Sequence, residues 1–155
     1  MAIGTRSRFI IRYLSVFAPA SLVWEFAHMP LYTLWQTGTV GEIAFAALHC
    51  TVGDVLIGTS ALLLAVTLLG GSGWPHKRAA AVAVATIVFG LAYTVFSEWL
   101  NVELRQSWAY RDIMPALPPL GTGLTPVLQW TAIPALAYIL ARFNLAAGAA
   151  SFGAE

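Results

Sequence analysis

A four-helix membrane bundle is the architecture this sequence predicts, and three observations predict it. Of its 155 residues, 59% are hydrophobic and only 10% are charged, whereas roughly a quarter of residues carry charge in a water-soluble domain. Four apolar stretches each reach the ~20 residues with which a helix crosses a hydrocarbon core. The basic residues gather at one set of span ends, as the positive-inside rule requires of a multi-pass protein. A mean hydropathy of +0.75 fits the same picture. Fifteen charged side chains, 8 Lys and Arg with 7 Asp and Glu, are too few to clothe a water-exposed globule of this size. The formal charge of +1 leaves no basic face for phosphates, which excludes nucleic acid as a partner. Cys50 is the only cysteine, so an intramolecular disulfide, a CxxC redox pair and a thiolate zinc cluster are excluded as well.

Each element follows in chain order. The first span runs about 13–35. Three arginines and a short apolar run ending in Ala18-Pro19-Ala20 have the outline of a cleavable signal. The apolar character nevertheless continues unbroken to Trp35, and Arg12 interrupts the short core, so a retained first helix is expected. The second span, about 43–69, is ~27 residues long, which exceeds the hydrocarbon thickness and admits tilt. Gly70-Gly71-Ser72-Gly73-Trp74-Pro75 then breaks the chain as a turn within a cytoplasmic loop over 70–78. The third span covers about 79–100 and the fourth about 124–143, so one membrane domain occupies 1–155.

Arg6, Arg8, Arg12, Lys77, Arg78 and Arg142 fall on one side of these spans and only Arg105 and Arg111 on the other. Both termini are therefore expected in the cytoplasm, with the chain multi-pass in the cell (inner or plasma) membrane. Trp35, Trp99 and Trp108 belong to the outer interface and Tyr13 and Trp74 to the inner one, as an aromatic belt.

Polar residues inside the spans carry the functional argument. An ionisable group near the bilayer centre costs about 2.5–3.5 kcal/mol on the insertion scale, so each needs a partner or a purpose. At 1.5 Å per residue, His28 and His49 lie ~10 Å inside the outer boundary, Gln129 ~9 Å inside, and Asp54 ~18 Å inside, near the midplane. Glu25 and His28 share a face as i and i+3, continued by Tyr32; Glu98 and Asn101 share one if the third helix runs past Leu100. His49 and Asp54, five residues apart, stand about 140° apart around their helix. Gly53 and Gly58 open the second helix to a close neighbour.

Three carboxyls with no Lys or Arg inside any span must be protonated, paired with an inward-folded Arg105 or Arg111, or gathered around a cation. Glu25, His28, His49, Asp54 and Glu98 are accordingly the expected metal ligands. Their nitrogen and oxygen donors suit a transition-metal ion, whether zinc, iron, manganese or copper. Glu25-x-x-His28 is half of the paired Glu-x-x-His arrangement of two-iron bundles; the second half is absent. The 23-residue connection 101–123 is long enough to be a functional element. Its first half reads as an interfacial helix, with Leu104 and Trp108 at i and i+4, ended by Pro115, Pro118 and Pro119. Asn101, Arg105, Trp108, Arg111 and Gln129 are the expected substrate-binding or lid residues.

No phosphate-binding loop, nucleophile elbow, HExxH or haem-attachment motif occurs. The expectation is a multi-pass protein with a His/carboxylate, metal-binding site in the outer half of the bilayer, acting on a lipid-soluble molecule as an enzyme would. Its partners would be the bilayer, that molecule, and further copies of the chain or a larger membrane complex. Two other classes meet the same residues: an oligomeric ion- or proton-translocating module, and an accessory or assembly subunit whose polar groups only fix helix packing.

Overall fold

The computed structural model describes residues 4–152, and the side chains of residues 4–143. Five α-helices account for most of them: α1 (Thr5–His28), the short α2 (Leu34–Thr37), α3 (Val40–Ala65), α4 (Ala79–Glu98) and α5 (Leu124–Phe152). A two-stranded antiparallel hairpin, β1 (Ala116–Leu117) and β2 (Thr122–Gly123), precedes α5. Four helical segments are long and apolar enough to cross a membrane: Thr5–Leu31, Val40–Gly70, Ala79–Leu104 and Leu124–Phe143.

The four long helices close into a ring, since α1 packs on α3 and α5 and α4 packs on the same two. The buried stripe of α1 is Phe9, Tyr13, Phe17, Ser21, Glu25 and His28, one residue per turn at the i, i+4 and finally i, i+3 spacing of a helix face. That of α4 is Val82, Thr86, Gly90, Thr94 and Glu98, again every fourth residue. Outward positions are apolar too: Val23 is 69% exposed, Phe45 69% and Leu56 64%. An apolar exterior, with the buried polar side chains turned inward beside an aromatic core, is the arrangement that lipid solvent favours.

Local chemistry sets the helix ends. Thr39 and Glu42 form a reciprocal capping box at the start of α3, supplying two of the orphan amides of a helix N-terminus. Pro30 lies in a tight turn, Met29–Leu31, that ends the first span; the span therefore begins eight residues before Tyr13 and stops four short of Trp35. Within it α1 passes through Ala18-Pro19-Ala20 without a break. The last turns of the second and third spans, Val66–Gly70 and Trp99–Leu104, widen to π-helical winding.

Two ends of the ring differ in character. At the end closed by the Gly70–Arg78 connection, Phe9 meets Trp74 and Tyr138 edge-on, each at 4.8 Å between ring centres. Trp74 Nε1 donates to the Tyr138 hydroxyl at 2.8 Å. Further in, Phe17 stacks on Tyr13 and tilts against Trp130. Gly58 and Gly90 make room for these rings: a Cβ on Gly58 would stand 2.6 Å from Phe17 Cζ, and one on Gly90 would overlap the Trp130 ring.

The opposite end carries the 105–123 segment as a strap. Thr33 N–H donates to Ala109 O at 3.0 Å, Arg111 N–H to Leu31 O at 2.9 Å, and Arg111 Nη1 to Pro30 O at 2.6 Å. Tyr32 and Tyr110 form a single antiparallel bridge, their rings 5.4 Å apart. The strap is not the interfacial helix expected through Trp108. Gln106 takes a left-handed φ of 51°, and Ser107 N–H turns back to Asn101 O at 2.8 Å, which ends the helical winding at Leu104.

Candidate functional site

Between the strap and the Phe17–Trp130 layer lies a cavity of about 390 Å³, lined by residues of α1, α3, α4, α5 and the strap. Four of the buried polar side chains join in its wall. Glu25 Oε2 is 3.1 Å from His28 Nε2, the i, i+3 contact that their spacing on α1 prescribes. Gln129 of α5 donates through one nitrogen to Glu25 Oε1 at 3.0 Å and to Asp54 Oδ2 at 2.7 Å. Three helices are thus joined through one amide. Each member is more than nine-tenths buried, where a hydrogen bond is electrostatically stronger than in water and an unpaired group is costlier.

Glu98, on α4 across the cavity, accepts a hydrogen bond from the Tyr110 hydroxyl. That hydroxyl also accepts from Gly123 N–H at 3.0 Å, so one phenol ties α4 to the middle of the strap and to Gly123 of β2, the residue before α5. Burial, then the neighbouring Glu98 carboxylate, pushes the Tyr110 hydroxyl well above the usual phenol range, which keeps it a donor at neutral pH.

Two buried polar atoms of cavity-lining residues are left without partners: His28 Nδ1 and Trp108 Nε1. With Nε2 directed to Glu25, the free nitrogen of a neutral His28 is an acceptor. Trp108 Nε1 is a donor only. Orphaned groups of opposite polarity in one wall suit a ligand that both donates and accepts.

The residues expected from sequence divide accordingly. Glu25, His28, Asp54 and Gln129 come together, and Gln129, which lines the cavity, is their hub. Glu98 lines the same cavity but bonds to Tyr110. His49 lines it from the exposed side of α3, stacked on Phe45 at 5.7 Å, and among the described residues it makes no side-chain hydrogen bond. Asn101 also lines the wall, yet its amide donates back to Ser97 O at 2.9 Å. Arg105 and Trp108 lie at the rim, whereas the Arg111 guanidinium holds the Pro30 carbonyl instead of a carboxylate.

Among the described residues no group of three or more His, Cys, Asp and Glu is arranged to hold a metal ion. The reason is visible in the bonding: the Gln129 amide stands between Glu25 and Asp54 as their shared donor, Glu98 is turned to Tyr110, and His49 to Phe45. The only contact at salt-bridge distance among the described residues is His28 with Glu25, which becomes an ion pair when His28 takes a second proton. Tyr110 carries no local sequence signal, because its role depends on partners 12 and 13 residues away brought together by the strap. Comparison with protein-family models, curated proteins and solved structures finds no match to this chain.

Proposed function

We propose that this chain is a multi-pass membrane protein, with its termini and the Gly70–Arg78 connection in the cytoplasm, that binds a lipid-soluble molecule in the strap-end cavity and exchanges a proton with it. The observation that carries this reading is the Glu25–His28 pair: a carboxylate holds one imidazole nitrogen while the other, buried beside a cavity, is unpartnered. This is the arrangement by which a carboxylate fixes a histidine tautomer and steadies the imidazolium formed when the free nitrogen takes a proton. The proton passes from an acidic hydroxyl (enol or phenol) or a protonated amine of the bound molecule to His28 Nδ1, and returns in the reverse step. Glu25 keeps Nε2–H in place throughout. Asp54, held by Gln129, offers its second oxygen as an acceptor for the same head group.

The cavity's chemistry selects the head. Glu25, Asp54 and Glu98 contribute acceptors, and the one Lys or Arg side chain among the lining residues, Arg105, is exposed. The wall is already crowded with oxygen acceptors, so a hydrogen-bond-donating head is favoured over a carboxylate or phosphate. The aromatic packing of Phe17, Tyr13 and Trp130 beneath the cluster favours a dead-end chamber over a through-path for ions. The Gln129 bridge favours proton exchange without a bound metal over the transition-metal reading.

Three probes with one tail and different heads test the proposal: dodecanol, dodecylamine and laurate, added to protein in lipid nanodiscs and followed by thermal unfolding. Ligands that bind only the folded state raise its stability by RT ln(1 + [L]/Kd). Dodecanol and dodecylamine are expected to stabilise the wild type and laurate is not, with the effect lost in His28→Gln and Asp54→Asn. Equal shifts from all three heads, or shifts unchanged in both variants, would overturn the reading.

A further inference from the structure

A second, apolar hollow of about 370 Å³ lies on the flank of the bundle, lined by Leu56, Ile57, Ser60, Ala61 and Leu64 of α3 and Phe89 and Tyr93 of α4. Ile57 and Tyr93 line the polar cavity as well, so the two spaces meet at a shared wall. Ala61 is 5% exposed, whereas Leu56, Leu64 and Tyr93 are about half exposed or more; the hollow is a groove with a small-residue floor, open toward the lipid. Gly53, one turn nearer the strap, also lines the cavity, and a Cβ built there would meet nothing within 4 Å. The α3–α4 seam is therefore open where cavity and groove join. His49 and Tyr93, both exposed and both lining the cavity, mark that opening.

Resting on the proton-exchange reading of the cavity, we infer that cavity and groove hold one ligand, a single-chain amphiphile whose donor head lies among Glu25, His28 and Asp54 and whose tail lies along the α3–α4 groove. Three features converge on that class. The polar end is walled by acceptors, with unpartnered His28 Nδ1 among them. The apolar end has one hydroxyl, Ser60, and the phenol of Tyr93 at its upper margin, and no charged group. From Leu56 to Leu64 the groove follows the helix for ~12 Å at 1.5 Å per residue, long enough for an alkyl or isoprenoid chain of several carbons. The ligand enters sideways from the membrane, through the seam, without passing the strap.

The test uses dodecanol carrying a diazirine at mid-chain, photolysed with the protein in nanodiscs and mapped by peptide mass spectrometry. Labelling is expected to concentrate on 56–64 and 89–93. It should fall about tenfold in Ser60→Trp or Leu56→Trp, the factor that ~1.4 kcal/mol of lost tail binding supplies. Both substitutions sit on the lipid-facing side, so the fold should survive; unfolding temperature checks each, and agreement of the two guards against one failing. Labelling should also fall in the His28→Gln/Asp54→Asn double variant. Labels spread equally over lipid-facing Val23 and Ile139 would identify bulk lipid and overturn the inference. So would groove labelling that survives the double variant, because head and tail would then bind independently. If the head-group series above discriminates normally while the groove variants label as wild type, the groove inference fails and the cavity reading stands.

Discussion

Gln129 and Asp54 are 75 residues apart in the chain and 2.7 Å apart in space, joined by a hydrogen bond whose donor nitrogen also serves Glu25 at 3.0 Å. One amide thereby holds two carboxyls from two other helices. Burial makes the bond consequential, since an acceptor that loses its donor there carries the full cost of an unpaired polar group.

Gln129→Leu removes both bonds and strands two buried acceptors. A loss of about 1–3 kcal/mol per stranded group is expected, read as a lower unfolding temperature in detergent or nanodiscs. Gln129→Glu should be worse, because it replaces the donor with a further carboxylate. Added Mn²⁺ or Zn²⁺ should then restore stability in the Glu variant and leave the Leu variant unchanged. A wild-type protein that loses stability on chelation would instead favour the transition-metal reading.

The two membrane histidines should separate sharply. His28→Ala deletes the partner of a buried carboxylate and should lower the unfolding temperature and abolish head-group binding. His49→Ala removes only an exposed ring stacked on Phe45 and should stay within about 0.5 kcal/mol of wild type, as surface changes do. Equal losses in both would contradict the placement of His49.

Gly90→Ala tests the close packing of α4 on α5. The added methyl meets the buried Trp130 ring, and overpacking of this kind costs about 1–3 kcal/mol. Gly53→Ala is the control, because its methyl enters open space; it should leave stability near wild type. A tolerated Gly90→Ala would show that Trp130 can move aside.

Tyr110→Phe unties the strap. Glu98 and Gly123 N–H both lose their partner, so faster hydrogen exchange over 105–123 is expected. The pH dependence has a definite sign. The folded hydroxyl holds its proton more tightly than an unfolded phenol, whose ordinary value is about 10, so this contribution is complete below that value and fades as pH rises above it. Strap protection should therefore be level from neutral to mildly alkaline pH and decline beyond. In Tyr110→Phe that alkaline decline should be smaller, and an identical decline would exclude Tyr110 as its source.

What the sequence determines here is everything that depends on lipid as solvent and on helical spacing. Apolar length sets four membrane-spanning helices, scarce charges locate the expensive groups, and the i, i+3 relation pairs Glu25 with His28 before any fold is known. Gly58 likewise announces a close approach, although its partner, the Phe17 ring, is invisible in the sequence. Tertiary structure decides which polar groups meet. Helical phase turns His49 outward while Asp54, five residues on, turns inward, and only the order of helices around the ring brings Gln129 between Asp54 and Glu25. The strap escaped sequence reading for a related reason: its course depends on the hydrogen bond that Thr33 donates to Ala109 and on those that the Leu31 and Pro30 carbonyls accept from Arg111, and a non-glycine residue in the left-handed region, Gln106, ends the helix before it. Local spacing fixes contacts within one helix; contacts between helices depend on their rotation and neighbours, which residue type alone does not encode.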